Sequence, residues 1–269
     1  MSARHPSPGR AALPPAARPE VAIWQEVEWG SYAADLPVWE ELAPPGTSVL
    51  ELGCGTGRVA LHLARRGAEV WAADLDARLL DDLASRARDE GLRVDIVEAD
   101  ARRLRLRRRF DLVLAPLQLL NLLDPADQRL ALSAARAHLE PGSRFAAAVV
   151  LPRMLIGGAA VDAPLPDVRE ISGCVYSSLP DAVTWTEEGG AVELRRLRAV
   201  VSPGGELREE IHVERLYLRP AEAIEAEARE AGLRPVERRV LAAEGDVAAS
   251  TVLVFGATGP AARDEDRVR

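Results

Sequence analysis

The sequence predicts an α/β protein built on a doubly wound, mostly parallel sheet of seven strands, with an antiparallel β-meander inserted after the fifth strand. Three observations carry that prediction. Short buried-strand patterns alternate with helical patterns from residue 47 to residue 151. A glycine run, Gly53-Cys-Gly-Thr-Gly57, separates the first strand from the first helix. After Pro152 the alternation gives way to period-two runs joined by glycine turns.

Taken in order, residues 1–20 are rich in Pro and Arg, with no acid before Glu20, and are expected to form a disordered tail. Residues 21–46 contain Trp24, Trp29 and Trp39 with Tyr32 among them and read as an N-terminal lid segment. Residues 47–52 form a first strand, and the helix after the glycines carries Val59, Ala60, Leu63 and Ala64 on one face before Gly67. Residues 68–75 repeat the strand signal, 77–88 are helical, 92–98 form a third strand and 110–115 a fourth. Asp124-Pro125-Ala126-Asp127 starts a helix with an N-cap acid, proline in the first turn and an acid facing the helix dipole. That helix is expected to run to about residue 140, where Pro141-Gly142 stops it before a fifth strand at 144–151.

Three antiparallel strands are then expected at 183–187, 192–201 and 206–218, with Ser202-Pro203-Gly204-Gly205 reading as a type II turn. A helix at 220–231 and strands at 234–241 and 250–256 complete the sheet, and 258–269 read as a second disordered tail. The organisation is therefore one domain, 47–151 with 219–257, interrupted by the insertion 152–218.

The chain has 269 residues and a formal net charge of −8. Charged residues break every apolar run well short of the roughly 20 residues a membrane-spanning helix needs, so no membrane role is expected. The acidic balance argues against nucleic acid, which demands clustered cations. The six arginines between Arg102 and Arg109 read as a solvated connection. Two cysteines, Cys54 and Cys174, supply neither a disulfide framework nor a zinc-site spacing, which fits a reducing cytoplasm and no metal.

Alternate glycines at 53, 55 and 57 let the backbone leave the first strand sharply and approach a ligand closely. A nicotinamide site would carry a third glycine where Arg58 stands, and Glu51 before the loop would repel a diphosphate while suiting an ammonium group. The residues favour a zwitterionic ligand. Val49-Leu-Glu-Leu-Gly-Cys-Gly-Thr-Gly57 resembles the first motif of the class I S-adenosylmethionine-dependent methyltransferases, a Rossmann-like family, and further motifs follow in family order. Asp74 resembles the acid that binds the ribose hydroxyls, and Leu75 the residue that packs on adenine. Asp100 and Ala101, within Glu98-Ala99-Asp100-Ala101, resemble the adenine-binding loop, while Phe110 to Ala115 and Pro116 resemble the fourth motif. The resemblance implies S-adenosyl-L-methionine as cofactor, held by Glu51, Gly53, Cys54, Gly55, Gly57, Asp74, Leu75, Asp100, Ala101 and Ala115, with Cys54 a backbone contact.

Methyl transfer from a sulfonium needs chiefly alignment and desolvation, so no catalytic triad is required and no catalytic residue is named. For the acceptor, the candidates are Tyr32 in the lid, and Gln118 and Asn121 after the fourth strand, at the edge where open α/β sheets bind ligands. His212 is the one histidine placed to act as a base, and Arg153, Tyr176 and Trp185 on the insertion are placed to line a pocket. The expected function is methylation of a nitrogen or oxygen of a small-molecule acceptor, the insertion walling the acceptor site or forming a homodimer interface. A non-catalytic cofactor-binding protein is the first alternative, and a nicotinamide oxidoreductase the second.

Overall fold

A computed structural model describes residues 18–152, 165–186, 190–243 and 248–258. Seven strands form one sheet: β1 (Ser48–Leu52), β2 (Glu69–Asp74), β3 (Val94–Glu98), β4 (Phe110–Ala115), β5 (Leu139–Val149), β10 (Leu233–Leu241) and β11 (Ser250–Ala257). Their spatial order is β10-β11-β5-β4-β1-β2-β3. β1 pairs in parallel with both β2 and β4, whereas β11 runs antiparallel to β5 and to β10. The chain reverses its winding between β1 and β4, which opens a crevice beyond the carboxyl ends of these strands. The doubly wound sheet is the expected one.

Helices α3 (Arg58–Arg65), α4 (Ala77–Asp89), α5 (Pro125–Ala137) and α6 (Ala221–Glu230) cover the sheet. Two apolar clusters result, one on each face: Phe110, Leu132, Phe145 and Phe255 on one side, Trp39, Leu63, Leu83 and Val252 on the other. β4 and β5 are buried along almost their whole apolar length because both faces are covered. Among the described residues, no helix is long and apolar enough to cross a membrane.

The fifth helix is capped as expected, the Asp124 carboxylate accepting from the Asp127 N–H at 2.8 Å. It stops at Ala137, earlier than the sequence suggests. β5 already begins at Leu139, which pairs with Phe110, and the register shifts before Leu112 meets Arg144. Pro141 and Gly142 thus lie in an irregular strand start, Gly142 at φ 89°, instead of ending the helix.

Among its described residues the insertion holds four strands, one more than expected: β6 (Asp167–Ile171), β7 (Cys174–Trp185), β8 (Ala191–Val201) and β9 (Leu207–Tyr217), in that spatial order. β6 and β7 turn through Ser172 and Gly173, both at positive φ, the conformation of a type I′ hairpin. Pro180 hides β7 in the sequence; it is accommodated by a register shift between Pro180 and Ala182. The turn at 202–205 closes by a Gly205 N–H to Ser202 carbonyl bond, but Gly205 and not Gly204 takes positive φ, so it is not type II.

The lid segment forms α1 (Glu20–Trp29) and α2 (Leu36–Leu42). Trp24 meets Tyr176 edge-on across α1 and β7, with Ile23 and Val27 in the same apolar contact. Helix α1 begins sooner than expected, and its approach is pinned by Arg18, which donates to both oxygens of Asp82 on α4. Of the expected tails at 1–20 and 258–269, residues 1–17 and 259–269 lie outside the described residues, as does Arg153.

Candidate functional site

A cavity of about 590 Å³ opens where β1 and β4 diverge. Its floor is the glycine loop. Gly53, Gly55 and Gly57 stand at φ 66°, 54° and 84°, a region side chains strain to adopt. A Cβ at Gly53 would lie 2.9 Å from Leu119 Cδ1, and at Gly57 it would collide with Leu83 of α4. Gly57 therefore allows the close packing of α3 against its neighbour, the task that a third glycine performs elsewhere in such folds. The Arg58 guanidinium is turned to Asp35, with bonds of 2.7 and 2.6 Å, and lies over the Tyr32 ring.

Glu51 projects from the end of β1 and is only 2% exposed. Its Oε2 is buried with no hydrogen-bond partner. Burial, reinforced by Asp35 and Asp74, pushes its carboxyl up to about 8, against the opposing pull of Arg58. A buried acid with an idle oxygen is costly and marks a place for a hydrogen-bond donor or a cation. Asp74, at the end of β2, accepts from the Gly55 N–H at 2.8 Å and from the Asp76 N–H at 3.0 Å, bracing the glycine loop while lining the cavity. Leu75 beside it is 66% exposed on the cavity rim.

Asp100 and Ala101 face this rim after β3. Both Asp100 oxygens are already engaged by Arg102, which also reaches Asp127, and this cation holds the Asp100 carboxyl below its ordinary range. Cys54 lines the floor; burial pushes its thiol well up, away from the reactive thiolate. Ala115 is fully buried in the sheet behind the cavity and does not line it.

Of the acceptor candidates, Gln118 lines the cavity, on a left-handed backbone at φ 63°. Asn121 does not. Its Nδ2 donates to the Val150 and Tyr217 carbonyls at 3.1 and 2.9 Å, and its Oδ1 accepts from the Val150 N–H at 2.9 Å. The amide is spent on clamping β9 and the end of β5 to the turn after β4, so it positions the wall and leaves no group for an acceptor. Tyr32 is likewise packed beneath Arg58 and lines neither this cavity nor the smaller one beside it.

Two residues that sequence reasoning passed over stand on the cavity wall. Gln25 of α1 accepts from the Thr56 N–H at 3.0 Å and lies over Gly55. Glu214 of β9 also lines the cavity, together with a smaller one of about 210 Å³ between α1 and the inner face of the antiparallel sheet. Neither carries a local motif; only period-two alternation put Glu214 on the face of His212. His212 lines the smaller cavity, its imidazole pushed down by burial and by Arg198.

The observations of this structure fit S-adenosylmethionine. The glycine cradle leaves room where side chains would stand, the idle Glu51 oxygen suits an ammonium group, Asp74 brings a carboxylate to the cavity lining, and Leu75 offers an exposed apolar face.

Comparison with known proteins agrees. Residues 49–142 match a family described as a methyltransferase domain. A Streptomyces protein described as cypemycin N-terminal methyltransferase is 36% identical over 115 residues, 42% of this chain and 46% of that protein. The chain thus matches about half the length of that curated relative. Among solved structures, a S-adenosylmethionine-dependent methyltransferase from Clostridium acetobutylicum superposes with a TM-score of 0.67 at 18% identity, over 88% of this chain and 97% of that one. The sugar N-methyltransferase KedS8 from Streptoalloteichus gives 0.67 at 20% identity, over 96% and 99%. At these identities the two structures speak for the fold.

Proposed function

From the premise that the chain carries a class I S-adenosylmethionine-dependent methyltransferase domain, we propose that it transfers a methyl group to a nitrogen or oxygen of a small-molecule acceptor. The observation that carries this reading is the pairing of the glycine cradle with the buried, half-idle Glu51 carboxylate in one cavity, beside a second chamber that shares part of its wall.

In this reading Glu51 takes the ammonium group of the cofactor, Asp74 the ribose hydroxyls, and Leu75 with Ala101 the faces of the adenine. Asp100, held by Arg102, offers its remaining lone pairs to the adenine edge. When bound, the cofactor supplies a methyl group on a positively charged sulfur with a neutral leaving group. The chain's own task is then to hold the acceptor in line and exclude water. Helix α1 and the inner face of β7–β9 form the cover that does so. The small-molecule character of the acceptor is supported by the size of the second chamber, below the roughly 300 Å³ of a drug-sized pocket. The curated relative and KedS8, by their names, act on an N-terminus and on a sugar nitrogen respectively.

The test is parallel calorimetric titration with S-adenosylmethionine, S-adenosylhomocysteine and NAD. Binding of both adenosyl ligands with none of NAD is expected. Binding of NAD alone, or of no ligand, would remove the basis of the assignment.

A further inference from the structure

The two cavities share three lining residues, Gln25, Trp29 and Glu214, which form the partition between them. The smaller chamber is otherwise walled by residues whose charges are matched. Arg198 donates to both oxygens of Glu28 at 2.8 and 3.0 Å, and Glu28 also accepts from the Ser178 hydroxyl at 2.8 Å. Arg196 donates to Asp167 and to Ser178, each at 3.2 Å. Glu214, the only other acid in this lining, makes no side-chain hydrogen bond to a described residue, although Arg196 and Arg198 act on it through space. Trp24, 4% exposed and lining the same chamber, has a buried indole N–H without a partner.

We propose that Glu214 receives the acceptor as a protonated amine, at the partition between the second chamber and the cofactor cavity, and takes the proton that the amine must lose before it is methylated. This rests on the methyltransferase reading of the larger cavity. It narrows the acceptor from a nitrogen or oxygen to a primary or secondary amine.

Three features of the geometry point this way. A partly buried carboxylate with no hydrogen-bonded counter-ion attracts a cation, and Glu28, the other acid lining the chamber, is already occupied. Glu214 is set into β9 opposite Leu194, so an apolar wall flanks it and water is restricted. Its strand is fixed three residues later, where the Tyr217 carbonyl accepts from Asn121 beside β4. The groups facing Glu214 are Glu28 from α1 and Arg196 and Arg198 from β8, with His212 two residues away on its own strand. Burial and Glu28 push the Glu214 carboxyl up, against the pull of the two arginines, which makes it a better proton acceptor.

The step balances without a further reactant. An amine arriving as R–NH3⁺ gives one proton to the Glu214 carboxylate. The freed nitrogen pair forms the C–N bond as the C–S bond breaks, its electrons staying on sulfur. The product leaves as R–NH2⁺–CH3, and Glu214 returns its proton to solvent.

The test uses the full chain saturated with S-adenosylhomocysteine and titrated by calorimetry with two pairs of probes: glucosamine against N-acetylglucosamine, and alanylalanine amide against its N-acetyl form. The pairs separate a sugar amine from a peptide amino terminus. At least one amine should bind about tenfold more tightly than its acetylated partner, a difference of about 1.4 kcal/mol. Glu214→Gln should erase that preference, leave S-adenosylhomocysteine affinity within about twofold and not lower the thermal midpoint, since it removes an unpaired buried charge. Glu214→Asp, which keeps the charge, should retain part of the preference. Amines that bind no better than their acetylated forms, a preference that survives in Glu214→Gln, or an equal loss of cofactor-product affinity would each overturn the proposal. Absence of S-adenosylhomocysteine binding sinks the methyltransferase reading itself, whereas its binding without amine preference sinks only the role of Glu214.

Discussion

The two walls of the site are made of different material. The cofactor wall is mostly main chain: a glycine loop at positive φ, braced by Asp74, on a sheet buried on both faces. The wall proposed for the acceptor is side chains on an antiparallel sheet whose inner face is covered by α1 and whose other face leaves Val175, Leu207, Ile211 and Val213 exposed. A wall of main chain needs particular residues at fixed spacing, since only glycine avoids strain there. A wall of side chains needs only alternation, and any residue that fits the ligand will serve. The first wall is rigid and specified by covalent geometry; the second is held in place by a few polar clamps. Variants should therefore act on the two walls in distinguishable ways.

The largest effect is expected at the clamp. Asn121→Ala removes three hydrogen bonds, two buried and one partly buried, and leaves the Val150 amide and two carbonyls to find other partners. A loss of about 4 kcal/mol in urea unfolding is expected, with hydrogen exchange accelerating first in the β9 amides near Tyr217. Cofactor-product affinity measured on the folded fraction should change little. A loss below about 1 kcal/mol would mean that the sheets are joined by apolar contact alone, through Val150, Val192, Leu216 and Leu218.

Glu51→Gln tests the rigid wall and should move stability and binding in opposite directions. The folded-state pKa of Glu51, about 8, lies above the ordinary carboxylate value, so the folded protein holds a proton that the unfolded chain releases. That group's contribution is therefore intact at acid pH, declines as pH rises above the unfolded value and reaches its full penalty near pH 8. Removing the ionisable group should stabilise the ligand-free protein by roughly 3 kcal/mol at pH 7. The same change should weaken S-adenosylhomocysteine binding about thirtyfold by losing a charge-assisted bond. In the wild type, affinity should rise between pH 6 and 8 as the carboxyl ionises, and that rise should vanish in the variant. A pH-independent affinity in both would show that the ammonium group binds elsewhere.

The same division explains what was legible in the sequence. Gly53, Gly55 and Gly57 are readable because their conformation excludes other residues, and Asp124-Pro125 is readable because a cap is a local bond. The order of strands followed from alternation with helices. By contrast, β6 and the first part of β7 were not read, because Pro180 interrupts a strand that tolerates it through a register shift. Asn121 drew attention as a polar residue at the ligand edge, yet its partners Val150 and Tyr217 are distant in sequence. Tyr32 was set in a plausible lid but packs under Arg58, whose partner Asp35 no spacing rule identifies. Glu214 was invisible for the same reason: a glutamate on an alternating strand acquires meaning only when the fold brings it beside the glycine loop.

The smallest effect concerns Gln25, which lines both cavities and bonds to the glycine loop. Gln25 sits on α1, whose other contacts run to the antiparallel sheet through Trp24 and Glu28 and to α4 through the Glu26–Arg86 pair. Its carbonyl oxygen takes the Thr56 N–H, so the position of α1 is coupled to the glycine loop by this hydrogen bond. Gln25→Ala should cost about 1 kcal/mol locally, seen as a roughly fivefold faster exchange of the Thr56 amide with the global midpoint nearly unchanged. The loop's φ angles are imposed by glycine and by Asp74, so the cradle itself should keep its shape. If Thr56 exchange does not change, the loop is held by its own geometry and the two walls are mechanically independent. If instead exchange rises throughout residues 53–57, the rigid wall owes its order to α1, and the contrast between a main-chain wall and a side-chain wall is one of composition and not of stability.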